Sequence, residues 1–259
     1  MKYLRVEDVR EIVRLLGEVA VLETDAPGKR RALLMGVAKL IQADIWVWVH
    51  FADNAKDGIP MGFAFIEGGW ENEAQRMKFA EATTSPAAEP FNTAMRKGSD
   101  IHRTRLRRDV FSDAQWFESE LFRNHYGKAN MGEWLTTHYP LGNRLFSTMV
   151  FLRQLGRPAF SRRDVCIVHI ITEEIDWLHR AGTDVPGAEH VNELSPRQRQ
   201  VLLQLLSGEG VKQIARELSL STHTVNDHMK HIYRRFGVSG RSELVAKFLA
   251  GGTAAGTDA

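Results

Sequence analysis

The chain of 259 residues holds one cysteine, Cys166. No internal disulfide can form, and a reducing, cytoplasmic setting is expected. Long apolar runs are missing too. No stretch approaches the ~18 uncharged apolar residues of a membrane helix, so no membrane association is expected. The opening MKYLRVEDVREIV interleaves charged and apolar side chains and offers no continuous core for a secretion signal. A Gly-rich phosphate loop, a GxSxG elbow and a paired-carboxylate motif are all lacking, which argues against an enzyme and against a bound cofactor. His102, His125, His138 and Cys166 are scattered, without CxxC or HxxxH spacing. His169, inside CIVHIIT, reads as a satisfied core side chain, so no metal site is expected. The basic run HRTRLRRD (His102 to Asp109) reads as solvated or partner-facing surface. Net charge is also small, at +2, but it is unevenly spread. From Val191 onward nine Lys/Arg stand against six Asp/Glu, so the positive excess lies at the C-terminal end and points to a polyanionic partner there.

Hydrophobic content of 43% and charged content of 25% suit a folded chain, and the length suits about two domains. Residues 1–180 read as one regulatory body. A helix over 4–22 opens it, with Val6, Val9, Ile12, Val13 and Leu16 at helical spacing. TDAPGK interrupts, and RRALLMGVAKLIQAD reads as a second helix. DIWVWVHF is a strand, ADNAKDGIP a hairpin-type turn and MGFAFIEGGW the returning strand. Residues 71–127 read as mostly helical. GEWLTTHYPL and RLFSTMVFLRQ form a second strand pair around Leu141-Gly142-Asn143. FSRRDVCIVHIITEEIDWLHR reads as a single helix started by Ser161 and Asp164, with Val165, Val168, Ile171, Ile175 and Leu178 as its buried stripe. Residues 181–193 have linker composition, and 251–259 read as a flexible tail.

This order predicts an α+β body, an antiparallel sheet with helices packed against it. By element order, roughly residues 29–180 resemble the GAF/PAS-like sensor class. That resemblance implies a curved sheet enclosing a small-molecule effector. Trp46, Trp48 and His50 share one face of their strand, and Trp134, Thr136 and His138 alternate in the same way on a later one. Large inward aromatics either line a cavity or fill a core. Trp46, Trp48, Trp70, Trp116, Trp134 and Tyr139 are therefore the candidate pocket set.

The C-terminal residues 194–250 carry denser signals. Ser195, Pro196 and Gln198 make a helix start with a capping box, and Val201, Leu202, Leu205 and Leu206 form the apolar face that follows. VKQIAREL is a short helix, SLS a tight turn, and Ser221 the cap of the next helix. At 100° per residue Val225, Met229, Ile232 and Phe236 fall in one sector, the buried stripe. His223, Asp227, Lys230 and Arg234 lie opposite, with Asn226 and His231 on the shoulders. Two short helices joined tightly, the second polar-faced, suit a helix-turn-helix reader of double-stranded DNA.

Leu194, Arg197, Val201-Leu202, Gly208, Ile214-Ala215, Leu218, Ser221, Thr224-Val225, His228, Ile232, Phe236-Gly237-Val238 and Arg241 match the pattern of the LuxR-type DNA-binding domain, and the segment resembles that four-helix module. The chain departs from the family at Gln198 and Gln200, where acidic residues are usual, and at Asn226, where lysine is usual. The resemblance implies that side chains after Thr224-Val225 face the major groove. Asn226, Asp227 and Lys230 become base-reading candidates, with His223 beside them, and Lys212, Thr222, Thr224 and Arg234 become backbone contacts. It also implies a homodimer contact on the last helix, through Leu244, Val245 and Phe248, although these residues equally suit the small core. The expected function is a sequence-specific transcription regulator controlled by a small molecule or partner at the N-terminal body. The alternatives are a ligand-independent regulator whose body only mediates dimerisation, and an enzyme with an appended DNA-binding segment.

Overall fold

The computed structural model of the protein describes residues 3–52, 61–97, 100–142, 145–180, 194–206 and 209–250. The expected linker at 181–193, the tail at 251–259, Gly208, Asn143 and most of ADNAKDGIP lie outside the described residues.

Two helices, α1 (Val6–Ala20) and α2 (Ala26–Leu40), lead into β1 (Ile45–Ala52) and β2 (Met61–Gly68). Then come α3 (Glu73–Thr84), α4 (Glu89–Arg96), β3 (Arg103–Leu106), α5 (Asp113–Phe117) and a π-helical turn at Phe122–Tyr126. β4 (Met131–Gly142), β5 (Leu145–Gln154), α6 (Arg162–Glu174) and α7 (Asp176–Arg180) complete the body. The strands form one antiparallel sheet in the order β2-β1-β5-β4-β3, so the body is α+β as expected. β3 is an addition to the sequence reading. Its four residues, RTRL, are too few and too charged to show a strand alternation, and they sit at the sheet edge, where charge suits the position.

Register decides what each face carries. Trp46 pairs with Phe151, Phe151 with Leu135, and Leu135 with Leu106. These four side chains belong to the core shared with Leu33, Leu34, Val37, Ile167, Val168 and Ile171 of α2 and α6. One residue out of phase, Ile45 pairs with Leu152 and Leu152 with Trp134. They pack instead with Phe79, Met95, Trp116 and Tyr126 from the α3–α5 side.

Two helices differ from the sequence reading. α1 is turned so that Asp8, Ile12 and Val19 are buried while Val6, Val9 and Val13 stand exposed. Asp8 is held by the Arg163 guanidinium at 2.7 Å, an ion pair that no apolar periodicity reveals. The expected single helix after Ser161 is two helices broken at Ile175, which leaves the helical region with φ −111° and ψ 83°. The break lets the His179 ring fold back and donate from Nε2 to the Thr172 carbonyl at 2.6 Å.

The C-terminal helices are α8 (Pro196–Leu206), α9 (Val211–Glu217), α10 (Thr222–Phe236) and α11 (Arg241–Ala250). The capping box is present: Ser195 N donates to Gln198 Oε1 at 2.8 Å, and Gln198 N donates to Ser195 Oγ at 3.3 Å. Leu194, Val201, Leu202, Leu205, Ile214, Ala215, Val225, Ile232, Phe236 and Leu244 are buried.

Candidate functional site

α9 ends at Leu218, and Ser219 takes the left-handed region with φ 53°. Leu220 N then donates to Ala215 O at 2.8 Å, which closes the turn and satisfies a terminal carbonyl of α9. Ser221 starts α10 by accepting from Thr224 N at 3.0 Å. At the far end Gly237, with φ 61°, hands the chain on, and Val238 N donates to Tyr233 O. Both ends of α10 are thereby fixed by local hydrogen bonds.

The two sides of α10 are as different as the spacing predicts. Val225 and Ile232 are fully buried, Phe236 nearly so, and Met229 half-buried. Burying the first three side chains supplies roughly 1.5–3 kcal/mol each, which orients the helix on the core. Thr222, His223, Asn226, Asp227, Lys230 and Arg234 are exposed, Thr224 is half-buried, and Lys212 is exposed on α9. Lys230 Nζ lies 3.8 Å from Asp227 Oδ1, and His223 Nε2 lies 3.4 Å from Asp227 Oδ2. Exposed pairs of this kind are worth under about 1 kcal/mol and are readily exchanged for another partner. Arg234 Nη2 donates to His231 Nδ1 at 3.0 Å. On α11, Leu244 is fully buried in the helical core and cannot itself offer a dimer surface; Val245 is half-buried. The Phe248 side chain lies outside the description.

In the N-terminal body the six-member pocket set does not hold together. The sheet divides it, because Trp46 and Trp48 face α2 while Trp116 and Trp134 face the α3–α5 side, where Trp70 also packs. Arg30 Cζ sits 4.1 Å from the Trp48 ring centroid, and Trp48 Nε1 donates to Ser147 Oγ at 2.9 Å, so this region is a filled core. Burial lowers the Arg30 pKa to about 10. Tyr139 stacks on His179, with ring centroids 3.8 Å apart. The α3–α5 side is different. Trp70, Phe79, Tyr126, Trp116, Trp134 and Phe91 follow one another in ring contacts of 5.0–6.2 Å. Trp116 Nε1 donates to Gly132 O at 3.1 Å, but the buried Nε1 groups of Trp70 and Trp134 have no partner among the described residues. A buried, unpaired N–H costs about 1–3 kcal/mol, so two in one aromatic cluster need an explanation. Neither donor is visible in the sequence, where all the tryptophans look alike.

Comparison with known proteins bears on the C-terminal segment. Residues 192–248 match the family described as "Bacterial regulatory proteins, luxR family", and they form a luxR-family helix-turn-helix domain. Among similar curated proteins, "Probable HTH-type transcriptional regulator GfsR" of Streptomyces halstedii is 39% identical over 56 residues, which cover 22% of this chain and 23% of that protein. "Probable transcriptional regulatory protein NarL" of Mycobacterium tuberculosis is 39% identical over 54 residues, which cover 21% of this chain and 25% of that one. These matches thus span about a quarter of each relative's length, and both relatives are named as regulators, not enzymes. Among solved structures, the VqsR LBD domain from Pseudomonas aeruginosa aligns with TM-score 0.45 and 14% identity over 67% of this chain and 94% of that one. No helix among the described residues is long and apolar enough to cross a membrane.

Proposed function

We propose that the chain is a cytoplasmic transcription regulator whose α10 enters the major groove of duplex DNA under the control of a small molecule bound on the α3–α5 side of the sheet. The one-sided burial of α10 carries the first half. Its apolar stripe closes the core, while Asn226, Asp227 and Lys230 stand in solvent with only weak mutual pairing. Asn suits the N6/N7 edge of adenine, Lys the O6/N7 edge of guanine, and Asp accepts from cytosine N4. Lys212, Thr222, Thr224 and Arg234 are backbone contacts in this reading, and His223 flanks the base readers. A homodimer would set two copies of α10 on half-sites about 34 Å apart, with Val245 at the contact in place of the buried Leu244.

The unpaired indole N–H groups of Trp70 and Trp134 support the second half. Their surroundings are aromatic and apolar, so the matching ligand is a largely apolar molecule carrying a carbonyl or similar acceptor.

Selection of bound fragments from random duplex DNA tests the first half. Enrichment of an inverted repeat is expected, and a pool indistinguishable from the input would sink it. For the second, thermal unfolding of the full chain with apolar carbonyl compounds should reveal a stabilising ligand. Trp134→Phe keeps a ring but removes the donor, and should cut that stabilisation. If no compound stabilises the chain, the body acts in assembly alone.

A further inference from the structure

His102, immediately before β3, and the pair His169 and Glu173, one turn apart on α6, bring one ligand atom each to within 4.8 Å of one another. His102 and Glu173 are 71 residues apart in sequence, so no spacing motif announces the cluster. The His102 side chain is buried, with 6% exposed, whereas Glu173 is half exposed and open to solvent. The two imidazoles stack, with centroids 4.4 Å apart.

Hydroxyls meet the His102 ring on its Nε2 side. Thr137 Oγ1 lies 2.8 Å from His102 Nε2, and Thr172 Oγ1, which donates to the Val168 carbonyl at 2.7 Å, lies 3.0 Å from it. On the other side of the ring, His102 Nδ1 contacts the Glu173 carboxylate. Thr104 Oγ1 lies 3.1 Å from His169 Nδ1 and orients that ring from the neighbouring strand. Hydroxyl partners on both imidazoles are the kind of outer support that fixes the tautomer of a metal-bound histidine.

We propose that His102, His169 and Glu173 form a binding site for a divalent transition metal of the zinc class, fastening α6 to the β3 edge. Two imidazoles and a carboxylate make a ligand set that zinc accepts while keeping a fourth position open. Bonds of about 2.1 Å put tetrahedral ligands about 3.4 Å apart. His169 must therefore draw inward while the Glu173 carboxylate, already touching His102 Nδ1, backs away to admit the ion, which side-chain rotation on one helix face allows.

The test uses the full-length chain with zinc chloride in competition with a chromophoric chelator, and cobalt(II) absorption as a second readout. One equivalent should bind, magnesium should not compete, and His169→Ala and Glu173→Gln should each weaken binding tenfold or more. Both positions are partly exposed, so these variants keep the fold even if His102→Ala does not. His223→Ala controls for the other His/carboxylate pair one turn apart, on α10. Absence of zinc binding at millimolar metal overturns the site. Equal affinity in the wild type and either α6 variant, or a loss at His223→Ala instead, overturns it as well.

Discussion

In the proposed reading, Lys230 and Asp227 divide the work of binding DNA between them. Lys230 stands 78% exposed, beside Asp227. If it reads a base, Lys230→Ala should cost ~1–3 kcal/mol on the preferred duplex and little on random sequence. Competition binding at fixed salt reads the difference, and an equal loss on both would reassign Lys230 to phosphate. Asp227 repels phosphate and occupies Lys230, so Asp227→Ala should tighten binding to random duplex while relaxing the choice of site. Unchanged affinity for random duplex would count against that role. Ser221 acts on stability alone: Ser221→Ala removes the acceptor for Thr224 N and should lower unfolding free energy by ~0.5–2 kcal/mol in urea titration. The Ser221 cap and the polar face of α10 were legible in the sequence because caps and helix faces depend on residues three or four apart. The metal-ligand candidates were not, because His102 meets His169 and Glu173 only through the packing of β3 against α6.

At the scale of elements, the strand alternations were read correctly one at a time and wrongly as a set. Trp46 and Trp134 each alternate with neighbours on their own strand, but which of them shares a side is decided by β5 between them. Trp46 lies level with Leu135 across Phe151, and Trp134 is one residue out of phase. A one-residue difference in register moves a side chain to the other face, and no single strand carries that information. The α6 stripe was found, but the break at Ile175 was not, since it depends on the His179 ring reaching Thr172 O. Gly237 shows the converse, a local requirement: its φ of 61° strains any residue with a Cβ. Gly237→Ala should lower stability by about 1 kcal/mol, read as an earlier urea midpoint at unchanged slope, although open space around the position leaves no clash to add.

Across the whole molecule, acid is the sensitive variable. Burial lowers the pKa of His50 and His138 to about 3 and that of His179 to about 4. In the unfolded chain histidines titrate near 6.5. Below that value the unfolded state takes up protons that the folded state refuses. Stability is therefore fully present above about pH 6.5 and is lost as pH falls towards the folded values. The slope reaches up to about 1.4 kcal/mol per pH unit for each histidine. Urea unfolding between neutral pH and pH 5 should show the decline, and His138→Asn should make it shallower. A profile as steep in that variant as in the wild type would remove His138 from the account.

The division of the tryptophans by the sheet also gives this protein two built-in optical reporters. Trp46 and Trp48 sit on the α2 side, whereas Trp70, Trp116 and Trp134 sit on the α3–α5 side. Emission differences between the wild type and Trp134→Phe or Trp48→Phe would therefore tell an observer which flank of the sheet an added compound disturbs, with no extrinsic dye attached.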